Sequence, residues 1–145
     1  MFETILFPTD FSDVAEKALD FVKRMKDAGT KKVVVLHVIK KQSLEVIAQY
    51  SSIRDFHEVE QEIEGDARRE LRRIADELRG LGVEVSVRIE TGFPVREIMR
   101  VEAEEGVSAI VIGSHGLSNV KEILLGSVSE SVIRKAVGPV LVVKR

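Results

Sequence analysis

Glycine and serine residues near the end of the chain have the types and the spacing of a phosphate-binding segment. Gly113 follows the apolar run 109–112, Gly116 follows after a Ser-His pair, and Gly126-Ser127 stands where a predicted helix begins. Glycine allows backbone N–H groups to approach an anion closely, and a helix N-terminus adds unbonded N–H groups and a positive dipole end. The segment therefore predicts a cradle for a nucleotide phosphate.

Two common phosphate motifs are absent from the sequence. The turn after the first apolar run, residues 8–13, contains no glycine, so the dinucleotide fingerprint is missing where it is expected. The pattern G-x-x-x-x-G-K-[ST] is also missing, and with it the lysine that usually neutralises the β and γ phosphates. What remains is G-x2-G-x9-G-S after a predicted buried strand, which by spacing alone is a weak signal.

Each candidate residue also has a simpler interpretation. Asp10, after Pro8-Thr9, lies at the end of the first apolar run, where it can bind a ligand or serve only as a turn or helix-cap aspartate. His115 can be a loop histidine that touches a ligand through its backbone alone. Gly126-Ser127 can be a plain helix start, because serine is a favoured N-cap residue. For His37 and His57 we favour a structural or exposed position.

Five apolar segments alternate with segments of helical spacing. The sequence predicts strands at 4–7, 33–39, 83–90, 109–112 and 140–143, and helices at 13–28 (with Ser12 as its cap), 59–78, 94–105 and 127–136. Such alternation implies a parallel sheet with right-handed crossovers. The predicted fold class is α/β, a doubly wound five-stranded parallel sheet with helices on both faces.

The strand order decides whether the two candidate loops meet. With the order 3-2-1-4-5 the first and fourth strands are neighbours, and Asp10 lies beside Gly113 in the crevice where ligands bind to such sheets. Residues 40–56 show a blurred pattern, which predicts a long, partly helical excursion. That segment is either a lid or partner surface, or a variable insertion.

Composition limits the classes of protein that remain. We expect a single domain over residues 1–145, because this length supports one core. With 22 basic and 24 acidic residues, nothing indicates a nucleic-acid or membrane-binding surface. Cysteine is absent, which excludes disulfides and thiolate chemistry. No signal peptide and no long apolar span is visible, so we expect a cytoplasmic protein.

The chain resembles the universal stress protein family from end to end. The resemblance rests on Ile5-Leu-Phe-Pro-Thr-Asp-Phe-Ser12, Leu36-His-Val-Ile39, Gly113-Ser-His-Gly116, the run 122–128 and Pro139-Val-Leu-Val-Val143. Members with this glycine pattern are known as ATP binders, and a second branch lacks the pattern. The chain is similar to the ATP-binding branch.

The resemblance implies a role for each site residue. Asp10 would contact the ribose or adenine, Pro8 and Thr9 would shape that wall, and Val38 would hydrogen-bond the adenine through its backbone. The ribose and phosphates would contact Gly113, His115 and Gly116, and the β and γ phosphates would contact Gly126, Ser127, Val128 and Ser129. A divalent cation, Mg²⁺ or Mn²⁺, would be held mainly by phosphate oxygens, with no protein metal ligands.

These residues favour binding over catalysis. Hydrolysis needs a positioned water, a base and charge neutralisation at the γ phosphate. The loops offer His115 and Asp10, while Lys121 and Arg134 are near only in sequence. We therefore expect an ATP-dependent regulatory or stress-response protein with little or no hydrolysis. The alternative is a small metal-dependent nucleotide hydrolase or adenylyl-transfer enzyme with Asp10 as metal ligand. A receiver-like or flavin-binding domain is a third interpretation, with Asp10 and Asp13, or Phe11 and Phe93, as its candidates.

The last predicted strand, Val140–Val143, would lie at a sheet edge if it is last in the strand order. Apolar edge strands tend to be paired or covered. The family resemblance implies a homodimer built on this strand, so we expect self-association beside ATP binding.

Overall fold

The computed structural model describes residues 1–116 and 125–145. Strands and helices alternate along the chain: β1 (Thr4–Pro8), α1 (Asp13–Arg24), β2 (Lys32–Lys40), α2 (Lys41–Tyr50), α3 (Ile53–Gly80), β3 (Glu84–Gly92), α4 (Pro94–Glu105), β4 (Ala109–Gly113), α5 (Ser127–Lys135) and β5 (Val140–Val143). A short 3₁₀ helix, Met25–Ala28, follows α1 and ends at Gly29, whose φ of 98° is in the left-handed region. None of the described helices has the length and apolar character needed to cross a membrane.

The five strands form one parallel sheet in the order β3-β2-β1-β4-β5, which confirms the predicted order and fold class. The order reverses at β1, because the chain moves outward from β1 to β3 and then crosses back to β4. Pro8 pairs with Leu36 in the register of β1 and β2, so β2 continues for four residues beyond the end of β1. This difference in length opens a space at the carboxyl edge of the sheet.

Both faces of the sheet are covered by helices, which is why the central strands are apolar throughout. On one face α1 and α3 pack over a core that includes Ile5, Phe7 and Leu71. On the other face α4 and α5 pack over a core that includes Leu6, Ile110 and Val132. The side chains of these six residues are at most 1% exposed, so the sheet is a rigid base for the loops at its edge.

The segment 40–56 is helical almost throughout, which corrects the prediction of a partly helical excursion. Helix α2 starts directly after β2, and α3 starts at Ile53 instead of Val59. The Ser52 hydroxyl accepts a hydrogen bond from the Asp55 N–H at 3.1 Å and so caps α3. The capping residue Ser52 therefore determines where α3 starts, although the first turns of α3 lack apolar periodicity. In α2, Leu44 is the only buried residue, so this helix shows little periodicity either.

Candidate functional site

A cavity of about 240 Å³ lies at the carboxyl ends of β1, β2 and β4, on both sides of the point where the strand order reverses. The structure brings together around it all of the site residues predicted from the sequence, namely Pro8, Thr9, Asp10, Val38, Gly113, His115, Gly116, Gly126, Ser127, Val128 and Ser129. Sequence reasoning missed six further lining residues: Ala15, Leu36, Lys40, Pro94, Ile98 and Ile112. Doubly wound sheets bind ligands at this location, so the cavity is the candidate site.

The turn between β1 and α1 satisfies most of its own polar groups. The Ser12 N–H donates to Asp10 Oδ1 at 3.0 Å, and the Phe11 N–H donates to Thr9 Oγ1 at 3.1 Å. The Ser12 hydroxyl in turn accepts from the Ala15 N–H at 3.2 Å and caps α1. The cap role proposed for Asp10 therefore belongs to Ser12, while Asp10 closes the turn and lines the cavity.

His37 supports this turn from the neighbouring strand. Its Nδ1 donates to the Thr9 carbonyl oxygen at 2.8 Å, since a carbonyl can only accept. Its ring stacks on Phe11 with centroids 4.4 Å apart, and Phe11 has a φ of 65°, which is unusual for a residue other than glycine. Burial lowers the pKa of His37, and the bond to Thr9 and the charge of Asp10 oppose that shift. This geometry agrees with the structural interpretation of His37.

The backbone of Val38 faces the cavity. Leu36 accepts from the Thr9 N–H at 2.8 Å, so its backbone polar groups face β1. Backbone direction alternates along a strand, so Val38 also directs its N–H and C=O toward the β1 side. Because β1 ends at Pro8, no strand of the described part of the chain meets them there. Val38 thus offers one donor and one acceptor, side by side, at the end of the cavity nearest β2.

The glycines of the loop are required by close contacts. A Cβ atom on Gly113 would lie 2.8 Å from Val14 Cγ1 and 3.3 Å from the Val14 carbonyl carbon. A Cβ atom on Gly116 would lie 2.8 Å from Asp10 Oδ2. Gly113 therefore allows α1 to pack on β4, and Gly116 brings the loop against the Asp10 carboxylate.

Helix α5 begins beside the cavity without a side-chain cap. Its N-cap is Gly126, so the interpretation of Ser127 as an N-cap is wrong and Ser127 is the first helical residue. The Ser129 hydroxyl is turned away and donates to the Gly113 carbonyl at 2.7 Å. In the described parts of the chain, the first-turn N–H groups of Ser127, Val128 and Ser129 have no acceptor. These three donors fit an anion.

The remaining candidates divide into those near the cavity and those outside it. His115 lies in the cavity wall, with its Nδ1 2.7 Å from the Ser114 hydroxyl oxygen. Asp13 pairs with Arg145 at 3.2 Å, and Arg134 pairs with Glu130 at 2.7 Å, so neither belongs to the cavity. Lys121 and residues 122–124 of the run 122–128 lie outside the described residues. Within the described ranges no three acidic or histidine side chains are grouped so as to hold a metal ion.

Lys40 is the cation that the sequence analysis did not identify. It is the last residue of β2 and lines the cavity, on the part of β2 that extends past β1. Two strand spacings separate β2 from β4, so Lys40 is at the end of the cavity away from Gly113. The signal that could have revealed it is its even spacing from Leu36 and Val38 along the strand.

The strand order, the cavity at the reversal point and the uncapped helix define a class of α/β protein that binds ligands at the carboxyl edge of its sheet. A model of the universal stress protein family matches residues 1–144. The chain belongs to the universal stress protein family, which confirms the resemblance seen in its motifs.

Individual relatives agree along the full length. The chain is similar to universal stress protein MJ0577 of Methanocaldococcus jannaschii, with 40% identity over 100% of this chain and 96% of the relative. The solved structure of MJ0577 superposes with a TM-score of 0.89 at 41% identity, covering 100% of this chain and 97% of that one. YxiE of Bacillus subtilis is 34% identical over 99% of this chain and 100% of its own length. A family protein from Arabidopsis thaliana, solved with AMP bound, shares the fold with a TM-score of 0.70 at 21% identity, covering 98% of this chain and 91% of that chain.

Proposed function

We propose that this protein binds ATP in the cavity and acts as a nucleotide-dependent regulatory protein of the stress response, with little or no hydrolysis. The observation that carries the proposal is the pairing of two complementary ends. The Val38 backbone offers a donor and an acceptor at one end, and the α5 N-terminus offers three N–H donors at the other.

The distance between these ends suits a nucleotide. Val38 is on β2 and the glycine loop follows β4, with β1 between them. Two strand spacings amount to about 10 Å, which is comparable to the separation of a base edge from its phosphates. The donor and acceptor of Val38 match the N1 acceptor and the N6 donor of adenine. Asp10, from the end of β1, lies between them where the ribose hydroxyls would be.

Binding requires no more than these groups, whereas hydrolysis requires more. The anion would be held by backbone N–H groups and a helix dipole, which stabilise charge without supplying a base. Lys40 lies at the base end, far from a γ phosphate. A divalent cation, Mg²⁺ or Mn²⁺, would be coordinated by phosphate oxygens. The AMP-bound relative shares the fold alone, so the choice of nucleotide rests on the residues of this chain.

Calorimetric titration with adenosine, AMP, ADP and ATP, with and without Mg²⁺, tests the proposal. We expect affinity to rise from adenosine to ATP, because each added phosphate gains charge-assisted hydrogen bonds at α5. GTP should bind more weakly, because its N1 is a donor and its O6 an acceptor. Equal affinity for adenosine and ATP would contradict the proposed phosphate site, and no binding of any of them would contradict the proposal as a whole.

A hydrolysis assay on the same sample separates binding from catalysis. We expect phosphate release far below the rate of a dedicated ATPase, which is about 1 per second or more. A fast rate that Asp10→Asn abolishes without loss of ATP affinity would favour the metal-dependent hydrolase instead. Asp10→Asn keeps the size of the side chain and removes its charge, so it is the suitable variant.

We also propose that the protein is a homodimer joined through β5. This strand lies at the edge of the sheet, and Leu141 of β5 is 42% exposed while Ile133 on α5 is 43% exposed. An exposed apolar edge strand is stabilised by pairing with a second copy. Sedimentation should give the dimer mass, and Leu141→Lys should shift it toward the monomer. A monomer at tens of micromolar in the unmodified protein would contradict this proposal.

A further inference from the structure

A second concave surface lies at the opposite edge of the sheet, between α3 and β3. This α3–β3 groove has a volume of about 330 Å³ and is lined by Arg68, Arg72, Ala75, Arg79, Val87 and Ile89. The three arginines are four and seven residues apart along α3, so they lie on one stripe of the helix. Their side chains are exposed beside an apolar floor, in which Val87 is 40% exposed.

Two of these arginines differ from the other arginines of α3. Arg69 pairs with Asp66, and Arg73 contacts Glu16, Glu70 and Glu77. Within residues 1–116 and 125–145, neither Arg68 nor Arg72 has an ion-pair partner. The groove therefore presents positive charge that the described part of the chain does not neutralise, on a protein whose net charge is -2.

The backbone of β3 is open on this side. The Glu84 N–H donates to the Lys31 carbonyl at 3.0 Å, so the backbone polar groups of Glu84 face β2. Because backbone direction alternates along a strand, the N–H and C=O groups of Val85, Val87 and Ile89 point away from β2, toward the open edge of the sheet. Arg79 confirms this direction, because its Nη2 donates to the outward Val85 carbonyl at 3.2 Å. The outward polar groups of Val87 and Ile89 have no partner among the described residues, and β3 is the edge strand.

We infer that the α3–β3 groove binds an extended acidic segment of another protein, which adds to the sheet as a strand beside β3. The main chain of the segment would pair with Val87 and Ile89, and carboxylates at alternate positions would reach Arg68 and Arg72. A second copy of this chain is a poor occupant, because a two-fold contact at β3 would bring two arginine stripes together. This surface is separate from the nucleotide cavity, so the inference does not depend on the proposed function.

The first test uses a fluorescent peptide of about nine residues with glutamate and threonine in alternation, which matches the 9 residues of β3. Fluorescence anisotropy should show saturable binding, and a peptide with lysine in place of glutamate should not bind. The double variant Arg68→Glu with Arg72→Glu should weaken binding about tenfold for each arginine. The matched control is Arg54→Glu with Arg69→Glu, which makes the same charge change on exposed positions of α3 and should retain most of the affinity.

The second test separates strand addition from simple charge attraction. Val87→Pro removes the outward N–H without removing a hydrogen bond to β2, so it should weaken the affinity for the peptide about tenfold. Val87→Ala keeps that N–H and should change the affinity little. In the unmodified protein, peptide binding should slow amide exchange at Val87 and Ile89 but leave the inward amides of Ser86 and Arg88 unchanged. Equal peptide affinity of Val87→Pro and Val87→Ala, or equal slowing of exchange at the inward and outward amides, would overturn strand addition. So would a loss of inorganic polyphosphate binding in Val87→Pro as large as the loss of peptide binding, because polyphosphate makes no strand pairing. Failure of the peptide to bind at all would overturn the inference.

Discussion

The contact between Gly116 and Asp10 gives the most direct test of the candidate site. An alanine at position 116 would place its Cβ 2.8 Å from Asp10 Oδ2, whereas ordinary contact needs about 3.5 Å. Gly116 has no positive φ, so alanine causes no backbone strain there. Asp10 is held through its other oxygen by the Ser12 N–H, so the carboxylate cannot retreat without weakening that bond. Gly116→Ala should therefore act on the ligand through Asp10.

The size of the effect follows from the proposed role of Asp10. A hydrogen bond from a ribose hydroxyl to a carboxylate contributes about 1.5 to 3 kcal/mol. Asp10→Ala should then weaken the affinity for ATP by roughly ten- to a hundredfold. Gly116→Ala displaces the carboxylate without removing it, so it should weaken the affinity for ATP about tenfold. In the Asp10→Ala background the same alanine meets no carboxylate, and its effect should fall below about twofold.

Calorimetric titration of the four proteins of this double-mutant cycle measures the coupling. Gly80→Ala is the matched control, since a Cβ there has nothing within 4 Å and its φ is not positive. That control should bind ATP as the unmodified protein does. Thermal unfolding should show that Gly116→Ala remains folded. Alanine lowers the conformational entropy of the unfolded chain, which offsets part of the cost of the close contact in the folded protein. If the alanine at position 116 costs as much without Asp10 as with it, the carboxylate is not the mediator and the reasoning fails.

Three further predictions concern other parts of the molecule. Glu102→Ala removes the buried acceptor of the Val137 and Gly138 N–H groups and should cost about 1–3 kcal/mol in urea unfolding, while Glu102→Gln, which keeps an acceptor oxygen, should cost less. Lowering the pH through and below about 6.5 should reduce stability, because burial lowers the pKa of folded His37 and the unfolded chain takes up the proton first; His37→Asn should show a smaller slope in the same unfolding series. Lys40→Ala should weaken adenosine and ATP by the same factor in titration, and a loss that grows with phosphate number would show that Lys40 reaches the phosphates.

The fold could be predicted from the sequence because its periodicities are strong. Strands buried on both faces appear as continuous apolar runs, and Val83, Val85, Val87 and Ile89 alternate with polar residues as an edge strand should. The start of α3 could not be predicted in this way, since its first turns do not pack on the core and Ile53 is 81% exposed. Helical periodicity reflects burial, so an unburied end of a helix leaves no such pattern.

Some residues of the candidate site could likewise be predicted from the sequence, and others could not. Asp10, Gly113 and Gly126 have residue types that stand out in the sequence, because turns and close approaches restrict which residues fit. Lys40 and Pro94 line the cavity for a different reason, namely how far β2 extends past β1 and where α4 begins. Those are facts of register and packing. The even spacing of Lys40 from Leu36 and Val38 indicates which side of β2 it shares with them, but it does not indicate that β1 ends before reaching it.

The structure also assigns different physical requirements to glycines that the motif treats alike. Gly113 is required by the packing of α1, Gly116 by the Asp10 carboxylate, and a Cβ on Gly126 would lie 3.3 Å from the Ser114 carbonyl oxygen. The Gly126 N–H also donates to that oxygen at 2.7 Å, and the Ser129 hydroxyl fixes α5 to Gly113. Both flanks of the loop are thus attached to the edge of the sheet before any ligand binds. Because the N–H groups that we propose to bind phosphate are already in place, a nucleotide would lose little affinity to ordering them.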